Sequence, residues 1–142
     1  MFRRRPEGPQ VLLVHPGGPF WSGRDLGAWT IPKGEVAAGE DEIGTARREF
    51  EEETGLCPEG ALVPLGRVKQ KGGKVVQAWA FEGDCDPAAV RSNTFRARWP
   101  PGSGEWRTFP EVDRAEWFGL EEARRRINPA QAALIDALEA LL

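Results

Sequence analysis

Glu49, Glu52 and Glu53 stand at i, i+3 and i+4 in a stretch whose apolar residues Ile43, Ala46 and Phe50 also recur at helical spacing. On a helix the three carboxylates share one face while the apolar residues occupy another. Like charges so placed repel one another. A divalent cation that prefers hard oxygen ligands, Mg²⁺ or Mn²⁺, relieves that repulsion. Arg48 lies four residues before Glu52, where it can orient that carboxylate and offset part of the charge, and Glu40 just ahead of the helix can reach the same cluster. The bland alternative is the solvated face of an amphipathic helix, the usual fate of an acidic run.

Residues further out decide between the two. Gly34, Glu40, Arg48, Glu49, Phe50, Glu52, Glu53, Gly55 and Leu56 match every defined position of the Nudix box, G-x5-E-x7-R-E-U-x-E-E-x-G-U with U aliphatic or aromatic. Nine defined positions over 23 residues are far more specific than a short motif. The lead-in Trp29-x-x-Pro-Lys-Gly and the late Glu116-Trp117 pair extend the likeness over nearly the whole chain, which therefore resembles the Nudix hydrolases.

The resemblance implies an α/β fold, an α/β/α sandwich with a mixed sheet and a loop-helix-loop motif, in which water attacks a phosphorus of a nucleoside diphosphate linked to another group. By position, Glu49, Glu52 and Glu53 would hold Mg²⁺, with Mn²⁺ as a substitute, helped by the backbone carbonyl of Lys33; Glu40 and Arg48 would support them. Such ions neutralise the diphosphate, activate water and align its attack. One carboxylate must take the water's proton. Within the family that base lies either on the helix or on a loop near the last strand. The loop candidates are Glu105 and Glu111, and Glu111 is preferred because it lies five residues before Glu116 in the segment feeding that strand.

For substrate binding the chain offers Lys33 as a phosphate ligand and Trp21 as a stacking platform, with Phe20, Trp79 and Phe95 as further aromatics. Aromatics in strands are core more often than platform, and Trp79 is read as core. His15, at the end of a strand with no second histidine, is read as structural, and Gly17-Gly18 as a turn rather than an anion nest. The lysine in the lead-in resembles dinucleoside polyphosphate hydrolases. The alternatives are a sanitising hydrolase of oxidised nucleoside triphosphates such as 8-oxo-dGTP, and a nucleotide-sensing module without turnover.

The elements that must carry these residues follow from patterning. Val11 to Val14 is a buried strand ending in Pro16-Gly17-Gly18. Residues 41–54 form the amphipathic helix, with Asp41 as N-cap and Gly55 just past its end. Residues 62–70 and 74–81 read as a hairpin turned at Lys71-Gly72-Gly73, the second strand being central and covered on both faces. Strands follow at 94–99 and 114–118, then a short helix at 120–126. Asn128-Pro129 starts a terminal helix whose stripe is Ala130, Leu134, Ala137, Leu138 and Leu141. Only Met1-Phe2 precedes the basic segment Arg3 to Pro6, so either the strand expected before Val11 is shortened or replaced, or the chain starts late. A missing strand would open a sheet edge on which a second copy could pair as a homodimer.

A chain of 142 residues, 40% hydrophobic and 29% charged, is expected to form one domain, 1–142. Its net charge of −3 gives no general attraction for nucleic acid or an anionic membrane, so an anionic small-molecule nucleotide must meet a local cation. Cys57 and Cys85 read as free thiols. Nothing approaches the roughly 20 apolar residues needed to span a bilayer. Together these lead to an expected cytoplasmic location.

Overall fold

The computed structural model describes residues 1–33, 41–70 and 72–142; the expectations for Gly34, Glu40 and Lys71 fall outside these residues. Strand β1 (Phe2–Arg5) pairs antiparallel with β2 (Gly8–Pro16), Phe2 opposite Val11, and β2 pairs in turn with β7 (Val112–Gly119), Leu13 opposite Glu116. The strand ahead of Val11 is therefore present and short, built from the basic segment itself. Its arginines are neutralised from the acidic segment that follows β4: Arg3 and Arg5 bond Asp84 at 2.8 and 2.9 Å, and Arg4 bonds Glu82 at 2.6 Å. The expected open edge on β2 is filled, which removes that reason for pairing with a second copy.

A hairpin of β3 (Val63–Lys69) and β4 (Val75–Ala80) joins this sheet at one point. The Phe2 N–H donates to Phe81 at 3.0 Å and the Gly83 N–H to Phe2 at 2.9 Å, a parallel bridge that makes the sheet mixed. A second hairpin, β5 (Thr94–Arg98) with β6 (Trp106–Pro110), stands apart, with Arg98 opposite Trp106. The β6 strand was not expected, because its short Trp-Arg-Thr-Phe alternation follows a Pro-Gly run and stays largely exposed.

The strand covered on both faces along its length is β2; β4 is so covered only towards its Ala80 end. Val11 and Leu13 face one cluster with Trp29, Phe118 and residues of α2 (Leu120–Arg126) and α3 (Ala132–Leu141), while Leu12 and Val14 face Val112, Ala115 and Val90. Ala80 belongs to the α2/α3 side, so its neighbour Phe81 points to the other. There Phe50 of α1 (Glu42–Thr54) meets it edge-on at 5.0 Å, giving helices on both faces. Val75 at the far end of β4 is 57% exposed, which a central strand would not allow.

The terminal helix begins later than expected. Asn128 caps a 3₁₀ turn at Pro129–Gln131, accepting the Ala130 N–H at 3.0 Å, and α3 follows. Its buried stripe is Leu134, Ile135 and Leu138, while Leu141 is 50% exposed. The buried Gln131 side chain sets the roll of the helix by accepting from the Ile31 N–H at 3.1 Å. Among the described residues no helix is long and apolar enough to cross a membrane.

Candidate active site on the acidic helix

Both ends of α1 are built as its sequence suggests. Asp41 accepts the Gly44 N–H at 2.6 Å, and Gly55, at φ 75°, turns the chain out while its N–H closes on Glu51 at 2.7 Å. With Phe50 anchored on Phe81, the acids one position before it and two and three after it lie off the packed face. Arg48 donates to Glu49 at 2.8 Å and to Glu52 at 3.0 Å, bridging the two carboxylates. Glu53 turns the other way and accepts the Lys33 backbone N–H at 3.0 Å. Lys33 thus meets the helix through its main chain, and its positive charge also acts on Glu53.

These acids are not a solvated face. The Glu49 side chain is only 12% exposed, and burial raises its pKa, with Arg48 opposing. Burial pushes the Glu53 carboxyl up to about 8, against the Lys33 N–H, and the charges of Glu49 and Glu111 add to the rise. Glu111 therefore stands close enough to act on both helix acids.

What places Glu111 there is a run of main-chain bonds. The Asn93 N–H donates to the Glu52 carbonyl at 2.8 Å, the Glu111 N–H to the Asn93 carbonyl at 2.8 Å, and the Gly17 N–H to the Glu111 carbonyl at 2.9 Å. Ser92 reinforces the run, its hydroxyl accepting the Val112 N–H at 3.0 Å. Glu105 lies at the opposite end of the β5–β6 hairpin, exposed and 3.6 Å from Arg107.

Trp21 sits half-buried in its own loop with the Arg24 guanidinium 5.6 Å from its ring. Phe20 is 70% exposed and touches Trp99 edge-on. His15 is buried, holding Asp113 at 2.8 Å and the Arg24 carbonyl at 2.6 Å against Trp29, a structural tie between loop and sheet. Trp79, expected in the core, instead helps line a cavity of about 420 Å³ beside α1, together with Leu12, Lys33, Ala46, Phe50 and Ala78.

The sequence profile of the NUDIX domain matches residues 1–138. The chain belongs to the Nudix family. Membership places it among hydrolases acting on phosphorus-containing acid anhydrides. It is 26% identical to the RNA pyrophosphohydrolase of Rhizobium meliloti, over 84% of this chain and 81% of that protein. Its fold is similar to a C. elegans Ap4A hydrolase, with a TM-score of 0.70 at 22% identity over 99% of this chain and 92% of the other. It is also similar to the NUDIX domain of Shewanella oneidensis NrtR in complex with ADP ribose, with a TM-score of 0.67 at 19% identity over 99% and 83% of the two chains.

The Nudix family generally uses divalent cations, and this Nudix domain offers a fitting donor set: hard carboxylate oxygens, buried and crowded enough that Glu53 favours its protonated form near neutral pH. Among the described residues no three acids, histidines or cysteines are gathered into a ready-made ion cage. Arg48 holds Glu49 and Glu52 on one side while Glu53 turns to Lys33. Sequence reasoning missed Asn93 and Ser92, which act through backbone or turn contacts. It also missed the buried Thr54, whose hydroxyl donates to the Phe50 carbonyl at 2.5 Å and accepts the Leu56 N–H at 3.1 Å.

Proposed function

We propose that this Nudix domain is a Mg²⁺-dependent pyrophosphohydrolase that cleaves the phosphoanhydride of a nucleoside diphosphate linked to another group, a dinucleoside polyphosphate being one such substrate. The observation that carries the reading is the setting of the helix acids: Glu49 is nearly buried, Glu53 accepts the Lys33 N–H at 3.0 Å, and main-chain bonds through Asn93 tie Glu111 to Glu52. A fold without chemistry to perform gains nothing from that crowding.

Glu49, Glu52 and Glu53 would hold the cation, which supplies charge neutralisation at the diphosphate and activation of water. Arg48 aligns two of these carboxylates, and Glu40 would support them from before the helix. The Lys33 ammonium would bind a substrate phosphate. Glu111 would accept the proton as the water oxygen bonds to phosphorus and the bridging P–O bond breaks, the leaving phosphate keeping the electron pair. Glu111 suits this role because main-chain bonds place it beside the helix acids without making it part of the helix.

The test is release of phosphate or nucleotide from a panel of diadenosine tetraphosphate, 8-oxo-dGTP, ADP-ribose and nucleotide sugars with Mg²⁺, with Mn²⁺ and with excess chelator. Turnover of one or more substrates, lost in chelator and regained with either ion, is expected. Hydrolysis that survives chelation, or tight binding with no cleavage of any member, would overturn the reading; the second result would mark a sensing module.

A further inference from the structure

Among the described residues, two buried side-chain polar atoms have no hydrogen-bond partner, Gln70 Nε2 and Trp79 Nε1. Both residues line the cavity of about 420 Å³ beside α1. Both atoms are donors. A buried donor without an acceptor destabilises a fold, and native proteins keep few of them. Folding alone gives no reason for both to border one space, whereas an occupant carrying acceptors does.

The layout orders the cavity. Phe81 meets Phe50 near the acidic end of α1, while Arg67, opposite Gln77 on β4, bonds Glu42 at the other end at 2.8 Å. Strand β4 therefore runs along α1 in the same direction. The cavity extends from Lys33, whose N–H holds Glu53, past Trp79 and on to Gln70. Gln70 bonds Lys74 through its backbone, so the main chains that carry the two donors lie five strand positions apart, about 16 Å at ~3.3 Å per residue. The donor nearer the acids is the Trp79 indole.

We propose that the stretch of cavity between Lys33 and Trp79 holds the purine base of the substrate, and that the Trp79 indole N–H donates to a ring acceptor of that base. The assignment rests on the pyrophosphohydrolase reading for what is attached to the base. The whole cavity, at about 420 Å³, falls within the roughly 300–1,000 Å³ usual for small-molecule sites, in which an apolar wall with a few placed polar groups orients a flat ring. Leu12, Ala46 and Phe50 supply the wall. A hydrocarbon ligand would leave the indole N–H unsatisfied, and a free anion would leave the apolar side chains around Trp79 without a partner. A base tethered to phosphate satisfies both ends at once, its phosphates emerging at Lys33 beside Glu53. The indole then reads the base, making Trp79 a specificity-determining residue.

Trp79→Phe removes the donor and keeps an aromatic ring. Two readouts are expected to diverge. The thermal midpoint of the ligand-free variant falls by no more than the smaller ring accounts for, since no hydrogen bond is lost. Affinity for ADP and GDP, followed by isothermal titration in Mg²⁺, falls about tenfold for at least one of them. Of the 7-deaza and 3-deaza analogues of the affected nucleotide, the one lacking the acceptor used binds parent and variant alike. Ala46→Leu, which fills the cavity, abolishes nucleotide binding while circular dichroism shows the fold intact. A larger stability loss in Trp79→Phe with unchanged ADP and GDP affinity would overturn the proposal and leave water as the indole's partner. Trp79-dependent binding without turnover of any nucleotide would instead sink the hydrolase reading and leave the base site standing.

Discussion

Glu111 and Glu105 are both loop-region acids flanking one strand, yet their surroundings differ. Glu111 acts on Glu49 and Glu53, whereas Glu105 faces solvent and Arg107. Glu111→Gln is expected to lower kcat by about 10²–10⁴, the usual worth of a general base, with little change in Mg²⁺ affinity. Glu105→Gln should be silent. If Glu111→Gln is silent and Glu49→Gln abolishes turnover without shifting metal affinity, the base lies on the helix. Glu53 carries a second prediction, concerning pH. Its carboxyl is pushed from an ordinary 4.5 up to about 8 in the folded, metal-free protein, so the fold binds that proton more tightly than the unfolded chain does. The resulting stability is present in full below about pH 4.5 and is lost as pH rises towards about 8. Thermal midpoints in chelator should show this decline, and Glu53→Gln should flatten it while removing most turnover. A pH profile identical in Glu53→Gln and parent would show that the carboxyl is not perturbed.

Helix α1 was the most legible element, because its caps, its apolar stripe and its acids are all local signals. Asp41, Gly55 and the 49/52/53 spacing each state their role within a turn or two of the chain. The same locality explains the misreadings. The alternation in β4 suggested a strand buried on both faces, but burial depends on neighbours, and β1 rather than β4 took the place beside β2. The basic residues of β1 disguised it as a tail until Glu82 and Asp84 supplied their partners. The cavity, and with it the setting of Trp79, needed three elements at once and had no signature in any one of them. At this scale Gly55 is the position to test. Its left-handed φ of 75° already disfavours a side chain, and a Cβ there would lie 3.0 Å from the Arg91 carbonyl oxygen. Gly55→Ala should cost about 1–2 kcal/mol for the conformation alone, seen as a lower denaturation midpoint.

Over the whole molecule, stability and metal binding are linked through the same acids. A cation bound only by the folded form raises its stability by about 2.7 kcal/mol at a hundred times its Kd. Because protons compete for Glu53, the Mg²⁺-induced shift in thermal midpoint should be larger at pH 8.5 than at pH 6. A shift independent of pH would separate Glu53 from the metal site. The run of bonds from Glu52 through Asn93 and Glu111 to Gly17 reaches further still, since every link joins an amide to a carbonyl. Along it Asn93 alone is free to drift over evolutionary time, since Glu52 and Glu111 carry the proposed chemistry and a Cβ on Gly17 would run into the Pro110 carbonyl oxygen. What such drift cannot pass through is proline, whose missing N–H at position 17, 93 or 111 would cut the link outright.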